Sequence, residues 1–181
     1  MKLDIEKIAI LHYPDPHLRS KCAPVRDFNA DLAALAKRMG ELMRTDAGVG
    51  LAAPQVGAPI RLFVMNLTGE EADSHVFVNP VISHKQGKAE AEEGCLSLPS
   101  IHVQVTRAAQ CRITAQDLEG NPIVLEAKDL QCRIWQHETD HLDGVLIIDR
   151  MGASDRIATR NTLKALLRGK TGGNKKPGPR R

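Results

Sequence analysis

The chain has the pattern of an α+β fold, in which helices pack on a mainly antiparallel set of strands. Three segments have the pattern of helices, and short runs of β-branched and aromatic residues lie between the first two of them. The 181 residues are 42% hydrophobic, which is enough for the core of one domain. Because the sequence has neither an internal repeat nor a linker, we expect residues 1–169 to form a single domain.

The first predicted helix runs from Asn29 to Asp46. Its apolar residues recur at every third or fourth position, at Leu32, Leu35, Ala36, Met39, Leu42 and Met43. Asn29 can cap the start of this helix, and Gly48 follows its end.

Five strands are predicted between this helix and the next. The runs RLFVMNL and HVFVNPVIS are rich in β-branched and aromatic residues, and Ile101 to Arg107 alternates Ile, Val and Val on one face. The segment CRITAQDLEGNPIVLEAKD predicts two further strands around a turn at Leu118 to Asn121. Short connections of this kind favour antiparallel pairing.

Two further helices complete the predicted domain. One spans Asp129 to Asp143, with Asp129 as its cap and its end near Gly144, and the other spans Asp155 to Arg168. Residues 170–181 contain nothing apolar to bury, so we expect a disordered tail. The tail is basic: from Arg160 onward there are eight basic residues and no acidic ones, whereas residues 1–159 carry a net charge of 17 − 22 = −5.

Composition excludes several classes of protein. Only 3% of residues are aromatic, which argues against a platform that stacks nucleic-acid bases. Charges interrupt the apolar N-terminus, unlike a signal peptide, and no later apolar run approaches membrane-spanning length, so we expect a cytoplasmic protein without a membrane segment. Four cysteines are too few for a disulfide framework and suit buried thiols or a metal ligand.

The stretch QHETDHLDG in the second helix predicts a metal site. His137 and His141 are four residues apart, so their imidazoles lie about 40° apart around the helix and can bind one ion. In the H-E-x-x-H pattern the intervening Glu138 handles the proton of a water. Helix geometry alone does not choose between Glu138 and Asp140, and the longer side chain only modestly favours Glu138. The alternative is a solvated polar face.

A third ligand is needed, and Cys95 is the best candidate. It lies in EEGCLSLPS, where Gly94 frees the backbone, although a buried thiol explains it about as well. Cys132 lies about 140–180° around the helix from the two histidines. Cys22 and Cys111 are most simply explained as small buried residues.

The stretch GVGLAAPQVG, residues 48–57, contains one side chain that forms hydrogen bonds, that of Gln55. Its three glycines would let a ligand approach the backbone closely, which makes the segment a candidate wall of a site. A plain Gly/Pro-rich connector with Gln55 in water explains the same residues. The segment alone leaves both interpretations open.

Three separated stretches, GVGLAAPQ, EGCLS and QHETDHLDG, together resemble the three signature motifs of the peptide deformylases. The resemblance runs from about Ile8 to about Met151 and implies antiparallel strands around a central helix that bears the H-E-x-x-H motif, with a C-terminal helix outside the motifs. It implies that residues 1–169 are one catalytic domain. Two positions depart from the pattern, the bulky Trp135 and His102 after the second motif, and they concern side-chain preference.

By position, the resemblance implies a role for each site residue. Cys95, His137 and His141 would bind the metal, and Glu138 would be the general acid/base. The Gln55 side chain and the Leu96 backbone N–H would face the substrate carbonyl, which favours the site-wall interpretation of the glycine segment. The peptide backbone would pair with residues of the first two motifs, namely Val49, Gly50 and Gly94.

The implied reaction removes the formyl group from the N-terminal formyl-methionine of newly synthesised polypeptides, a step of N-terminal methionine processing. The resemblance favours one divalent ion, Fe²⁺, with Zn²⁺ or Ni²⁺ as substitutes, and we expect a monomer. The basic C-terminal segment predicts contact with the ribosome, although a solubilising tail explains it equally. A zincin-type peptidase would share H-E-x-x-H without the cysteine, and an RNA-binding protein would leave the three motifs unexplained.

Glu93 and Arg107 are expected either to form an ion pair across neighbouring strands or to be solvated.

Overall fold

A computed structural model describes residues 4–169, and the predicted disorder of residues 170–181 lies outside them. Within these residues there are four α-helices: α1 (Ala30–Thr45), α2 (Asp129–Leu142), α3 (Ile147–Arg150) and α4 (Ala153–Gly169). Seven strands accompany them: β1 (Gly50–Ala52), β2 (Leu62–Met65), β3 (His75–Gln86), β4 (Ala89–Gly94), β5 (His102–Arg107), β6 (Gln110–Gln116) and β7 (Pro122–Lys128). Short 3-10 turns connect some of these elements, one of them at Ala53–Val56 directly after β1.

The strands form two antiparallel sheets, which confirms the predicted α+β class. The larger has the order β1-β2-β3-β6-β7, and β4 and β5 form a separate pair. Two strands were not predicted: β1, which lies within the glycine segment, and β4, whose sequence AEAEEG has low strand propensity. Strand β4 forms because it pairs along its whole length with β5, where Val103 and Val105 are buried.

Helix α1 has the predicted boundaries. The Asn29 side chain accepts a hydrogen bond of 3.0 Å from the Leu32 N–H, as an N-cap does, and Asp46 is the C-cap. The predicted apolar face is buried except for Leu42, which is half-buried.

Helix α2 starts differently from the prediction. Lys128, not Asp129, is its N-cap, and no side chain caps the helix. The Asp129 N–H donates to the Ala109 carbonyl and so extends the pairing of β6 and β7 up to the first helical residue, which has φ of +53°. The end agrees with the prediction, since Asp143 is the C-cap and Gly144 adopts φ of +74°.

The motif-bearing helix α2 packs against every strand of the larger sheet. Trp135 on α2 is fully buried against Phe77, and its indole N–H points to the Met65 sulfur at 3.2 Å. This tryptophan therefore fills the core and does not line the groove. The C-terminal helix α4 begins two residues before its predicted start. No helix within residues 4–169 combines the length and apolar character needed to cross a bilayer.

Candidate active site

The structure brings together the three predicted metal ligands. Helix α2 carries His137 and His141 on one face, and Cys95 follows the last residue of β4. The Cys95 Sγ lies 3.4 Å from the His141 Nε2, which lies 3.2 Å from the His137 Nε2. All three ligand atoms lie within 4.8 Å of one another.

This spacing fits a single bound ion. Zinc held tetrahedrally at about 2.3 Å from sulfur and about 2.0–2.1 Å from nitrogen requires ligand atoms about 3.3–3.6 Å apart. The S–N separation of 3.4 Å and the N–N separation of 3.2 Å lie within about 0.2 Å of these values. One thiolate and two imidazoles are also suitable donors for iron, cobalt or nickel. Three protein ligands leave a coordination position for a water or a substrate, as in catalytic sites.

The cluster lies at the wall of an open cleft of about 420 Å³. The cleft is lined by the glycine segment, the end of β4 and one face of α2. All of the predicted site residues except His141 line it, namely Val49, Gly50, Gln55, Gly94, Cys95, Leu96, His137 and Glu138. His102 also lines it, and its side chain is exposed, so it can affect side-chain preference.

The surroundings of Glu138 and Asp140 distinguish the two carboxylates that helix geometry left equivalent. Glu138 lines the cleft and is buried, and its Oε2 has no hydrogen-bond partner within residues 4–169. Burial raises the pKa of Glu138 to about 7, which suits a group that takes up and returns a proton near neutral pH. Asp140 instead accepts hydrogen bonds from Arg107 at 2.9 Å and Arg150 at 2.6 Å, away from the cleft.

Gln55 is buried at the cleft and held at both ends of its amide. Its Oε1 accepts from the Ala52 N–H at 2.8 Å, and its Nε2 donates to the Ser97 Oγ at 3.0 Å. The same Nε2 lies 3.7 Å from the Cys95 sulfur, so the amide is fixed beside the three predicted ligands. The glycine segment is therefore a wall of the cleft and not a solvated connector. Ser97 was not among the predicted site residues.

Gly50 leaves room for Glu138. A Cβ on Gly50 would lie 2.8 Å from the Glu138 Cδ, closer than side chains approach, and 3.0 Å from its Cγ, which is a tight contact. The glycine in the first motif thus lets β1 pass directly over the carboxylate. This contact explains why the segment is cleared of side chains at this position.

Comparison with known proteins agrees with this geometry. The family model for polypeptide deformylases matches residues 7–156. A peptide deformylase of Acidobacterium capsulatum is 42% identical over 161 residues, covering 88% of this chain and 95% of that protein. The chain belongs to the polypeptide deformylase family.

Solved structures give the same result. A plant peptide deformylase superposes with a TM-score of 0.91 at 36% identity, covering 100% of both chains. The peptide deformylase of Thermus thermophilus gives a TM-score of 0.83 at 41% identity, covering 90% of this chain and 98% of that one. The chain is therefore an enzyme that removes the formyl group from the N-terminus of newly synthesised polypeptides, and the family is metal-dependent.

A network of buried ion pairs around Glu93 lies next to the deformylase cleft. Glu93 accepts hydrogen bonds from Arg107 at 2.6 and 2.9 Å and from Arg133 at 2.6 Å. It also accepts from the His137 Nδ1 at 2.9 Å, and the His137 Nε2 points toward the His141 Nε2. The predicted Glu93–Arg107 pair is confirmed, and the solvated alternative is wrong, since both side chains are buried. Arg133 was not foreseen, because nothing in the sequence links it to β4.

Burial and the hydrogen bonds of this network shift the pKa values of Glu93 and of the two histidines. Burial alone would raise the pKa of Glu93, but hydrogen bonds from His137 and Arg107 outweigh it and hold that pKa well below its usual range. Burial lowers the pKa of His137, but hydrogen bonds with Cys95 and Glu93 raise it overall to about 10. Binding of a metal ion to His137 would therefore displace a proton. Burial is the main cause that lowers the pKa of His141, which favours its neutral, metal-binding form.

Proposed function

We propose that Cys95, His137 and His141 hold one divalent metal ion for deformylation and that Glu138 is the general acid/base. The observation that carries this proposal is the buried Glu138 carboxylate, with an unpartnered Oε2 within the described residues, beside a three-donor cluster of suitable spacing. An ion held there would lower the pKa of a water molecule and polarise the formyl carbonyl. The chain's own side chains supply the remaining steps.

When water attacks the formyl carbon, the Glu138 carboxylate takes a proton from that water. Glu138 then gives the proton to the departing amine nitrogen. A pKa of about 7 suits both transfers. The C–N bond breaks, and formate and the free amino terminus leave. The Gln55 amide and the Leu96 backbone N–H donate to the oxygen that becomes negative, and such a donor is typically worth about 3–4 kcal/mol. Since Ala52 and Ser97 hold the Gln55 amide, it needs no reorganisation during the reaction.

The peptide backbone is proposed to lie between Val49 and Gly50 on one side and Gly94 on the other. Both segments line the cleft, and β4 pairs with β5 along one edge only. An added peptide strand on the other edge of β4 would place the formyl group near Cys95.

The native ion is proposed to be Fe²⁺, with Zn²⁺ or Ni²⁺ as functional substitutes. The mixed thiolate and imidazole donor set supports any of these ions, and the family resemblance favours iron. Oxygen should inactivate an iron form faster than a zinc form by oxidising the ion or the Cys95 thiolate. Equal survival of both forms in air would contradict iron-specific sensitivity.

Residues 1–169 are proposed to act as one catalytic unit, monomeric and cytoplasmic. Sedimentation of the purified chain at several concentrations tests the monomer, and a concentration-dependent increase in mass would contradict it. Fractionation of cells that express the chain tests the location.

The basic segment from Arg160 onward is proposed to contact ribosomal RNA. Arg160 and Lys164 are exposed on α4, and the residues beyond Gly169 add five positive charges. Affinity should fall with salt, with a logarithmic slope of up to about −0.7 per contacted phosphate. Truncation after Gly169 should keep peptide deformylation and weaken ribosome binding. Unchanged ribosome binding for both this truncation and a variant with Arg160 and Lys164 neutralised would refute the contact.

The test of the catalytic proposal is Glu138→Ala, compared with Asp140→Ala. Glu138→Ala removes a proton carrier but no ligand, so it should keep one metal ion per chain and lose formate release by about 10²–10⁴-fold. Asp140→Ala should instead lower the free energy of unfolding, because it removes the ion pairs of Asp140 with Arg107 and Arg150. A metal-loaded Glu138→Ala variant with near wild-type turnover would contradict the role of Glu138.

A further inference from the structure

Two thiols outside the metal site lie in direct contact. Cys111 on β6 and Cys132 near the start of α2 have their sulfur atoms 2.7 Å apart, and both residues are buried. The Cys132 sulfur also faces the Ala108 carbonyl at 3.5 Å. Neither thiol lines the cleft, and neither belongs to the cluster of Cys95, His137 and His141.

Regular secondary structure holds the two thiols together. Strand β6 pairs with β7 from its first residue, and the pair Gln110 and Lys128 lies next to Cys111. Helix α2 begins directly after β7, so its first turn returns over the start of β6. The Gln136 amide lies 3.2 Å from the Cys132 sulfur and donates to the Ala108 carbonyl at 3.0 Å. The contact therefore does not depend on a loop.

Cys111 is the more accessible of the two thiols. It keeps 3% of its surface exposed, whereas Cys132 has no exposed surface. This arrangement assigns the first reaction to Cys111 and the second to Cys132.

We propose that Cys111 and Cys132 are a site of oxidative modification and form an intramolecular disulfide with hydrogen peroxide. The Cys111 sulfur attacks one peroxide oxygen, so an S–O bond forms, the O–O bond breaks, and one water leaves. The Cys132 sulfur then attacks the Cys111 sulfur, so the S–S bond forms, the S–O bond breaks, and a second water leaves. The two thiols lose two electrons and two protons, and the peroxide gains them.

The geometry requires little movement. A disulfide bond is about 2.0 Å long, so the sulfur atoms approach by about 0.7 Å. Burial raises the pKa of the Cys111 thiol to about 12, so little thiolate is present at neutral pH and the oxidation is slow. The bond would attach the sheet to α2 about one turn before His137.

The test uses the full-length, zinc-loaded enzyme, in which Cys95 is protected as a ligand. The protein is incubated with hydrogen peroxide, denatured, alkylated and digested. The masses of the peptides are then measured by mass spectrometry. The expected product is one cross-linked pair that contains Cys111 and Cys132, two hydrogen atoms lighter than the separate peptides and reversible by dithiothreitol. The oxidised protein should melt roughly 6–12 °C higher, because the bond closes a loop of about 20 residues.

Matched variants identify the partners. Cys111→Ser and Cys132→Ser should each abolish the cross-link, whereas Cys22→Ser, which changes another buried cysteine, should keep it. The peptide map of the wild-type enzyme remains decisive if a serine variant does not fold. Complete alkylation of both cysteines after peroxide treatment, or a cross-link to any other cysteine, would overturn the proposal.

Discussion

Replacing Gly50 by alanine should displace the Glu138 carboxylate and lower activity while Glu138 itself is retained. The new Cβ would lie 2.8 Å from the Glu138 Cδ, whereas ordinary contacts begin at 3.4 Å, so the carboxylate must move by at least 3.4 − 2.8 = 0.6 Å. Glu138 is buried, which leaves it little space to move. A misplacement of about 1 Å at a reacting group costs about 10²-fold in rate, or about 2.7 kcal/mol. We expect kcat to fall by about that factor.

The assay is formate release from a formyl-methionyl peptide, with the metal content of each preparation measured. Gly152→Ala is the matched control, because a Cβ at this exposed glycine would have no atom within 4 Å and Gly152 does not line the cleft. The control should lose less activity, and both variants should keep one ion per chain. A Gly50→Ala enzyme with wild-type kcat would refute the inference that Gly50 makes room for the Glu138 carboxylate.

Two further changes test the neighbouring groups. Gln55→Leu should lower kcat by about 10²–10³-fold with little change in KM, since the amide acts on charge that appears only in the transition state; a change in KM alone would assign Gln55 to peptide binding. The pKa of Glu93 is depressed in the folded protein, so its contribution to stability is present above the unfolded pKa of about 4.3 and is lost as pH falls further. Urea unfolding should therefore show that the difference in free energy of unfolding between wild type and Glu93→Gln narrows below about pH 4, by at most about 1.4 kcal/mol per pH unit. A difference that stays constant down to about pH 2.5 would contradict the stabilising role of the Glu93 ion pairs.

Local sequence patterns predicted those parts of the fold that local interactions stabilise. Helix α1 follows from its apolar spacing and from Asn29, which caps it as expected. Strand β4 could not be predicted, because AEAEEG has low strand propensity and forms only through pairing with β5. The predicted cap Asp129 was wrong by one residue, because pairing between β6 and β7 continues into the start of α2.

The site was predictable where spacing along one helix or a motif describes it. His137 and His141 follow from helical geometry, but the choice between Glu138 and Asp140 depends on Arg107 and Arg150, which approach from other elements. Ser97 and Arg133 were missed for the same reason. Contacts across elements, such as that between Cys111 and Cys132, are set by the fold and leave no local signal in the sequence.

The most direct test of the central claim is a metal titration of the apoenzyme. The chain is stripped with a chelator and supplied anaerobically with Fe²⁺, and formate release from a formyl-methionyl peptide is measured. We predict that activity rises linearly and stops at one ion per wild-type chain, while Cys95→Ser binds the ion weakly, because a serine hydroxyl is a poor ligand for such an ion. Full activity in the metal-free enzyme, or normal metal binding by Cys95→Ser, would contradict the proposed Cys95, His137 and His141 site.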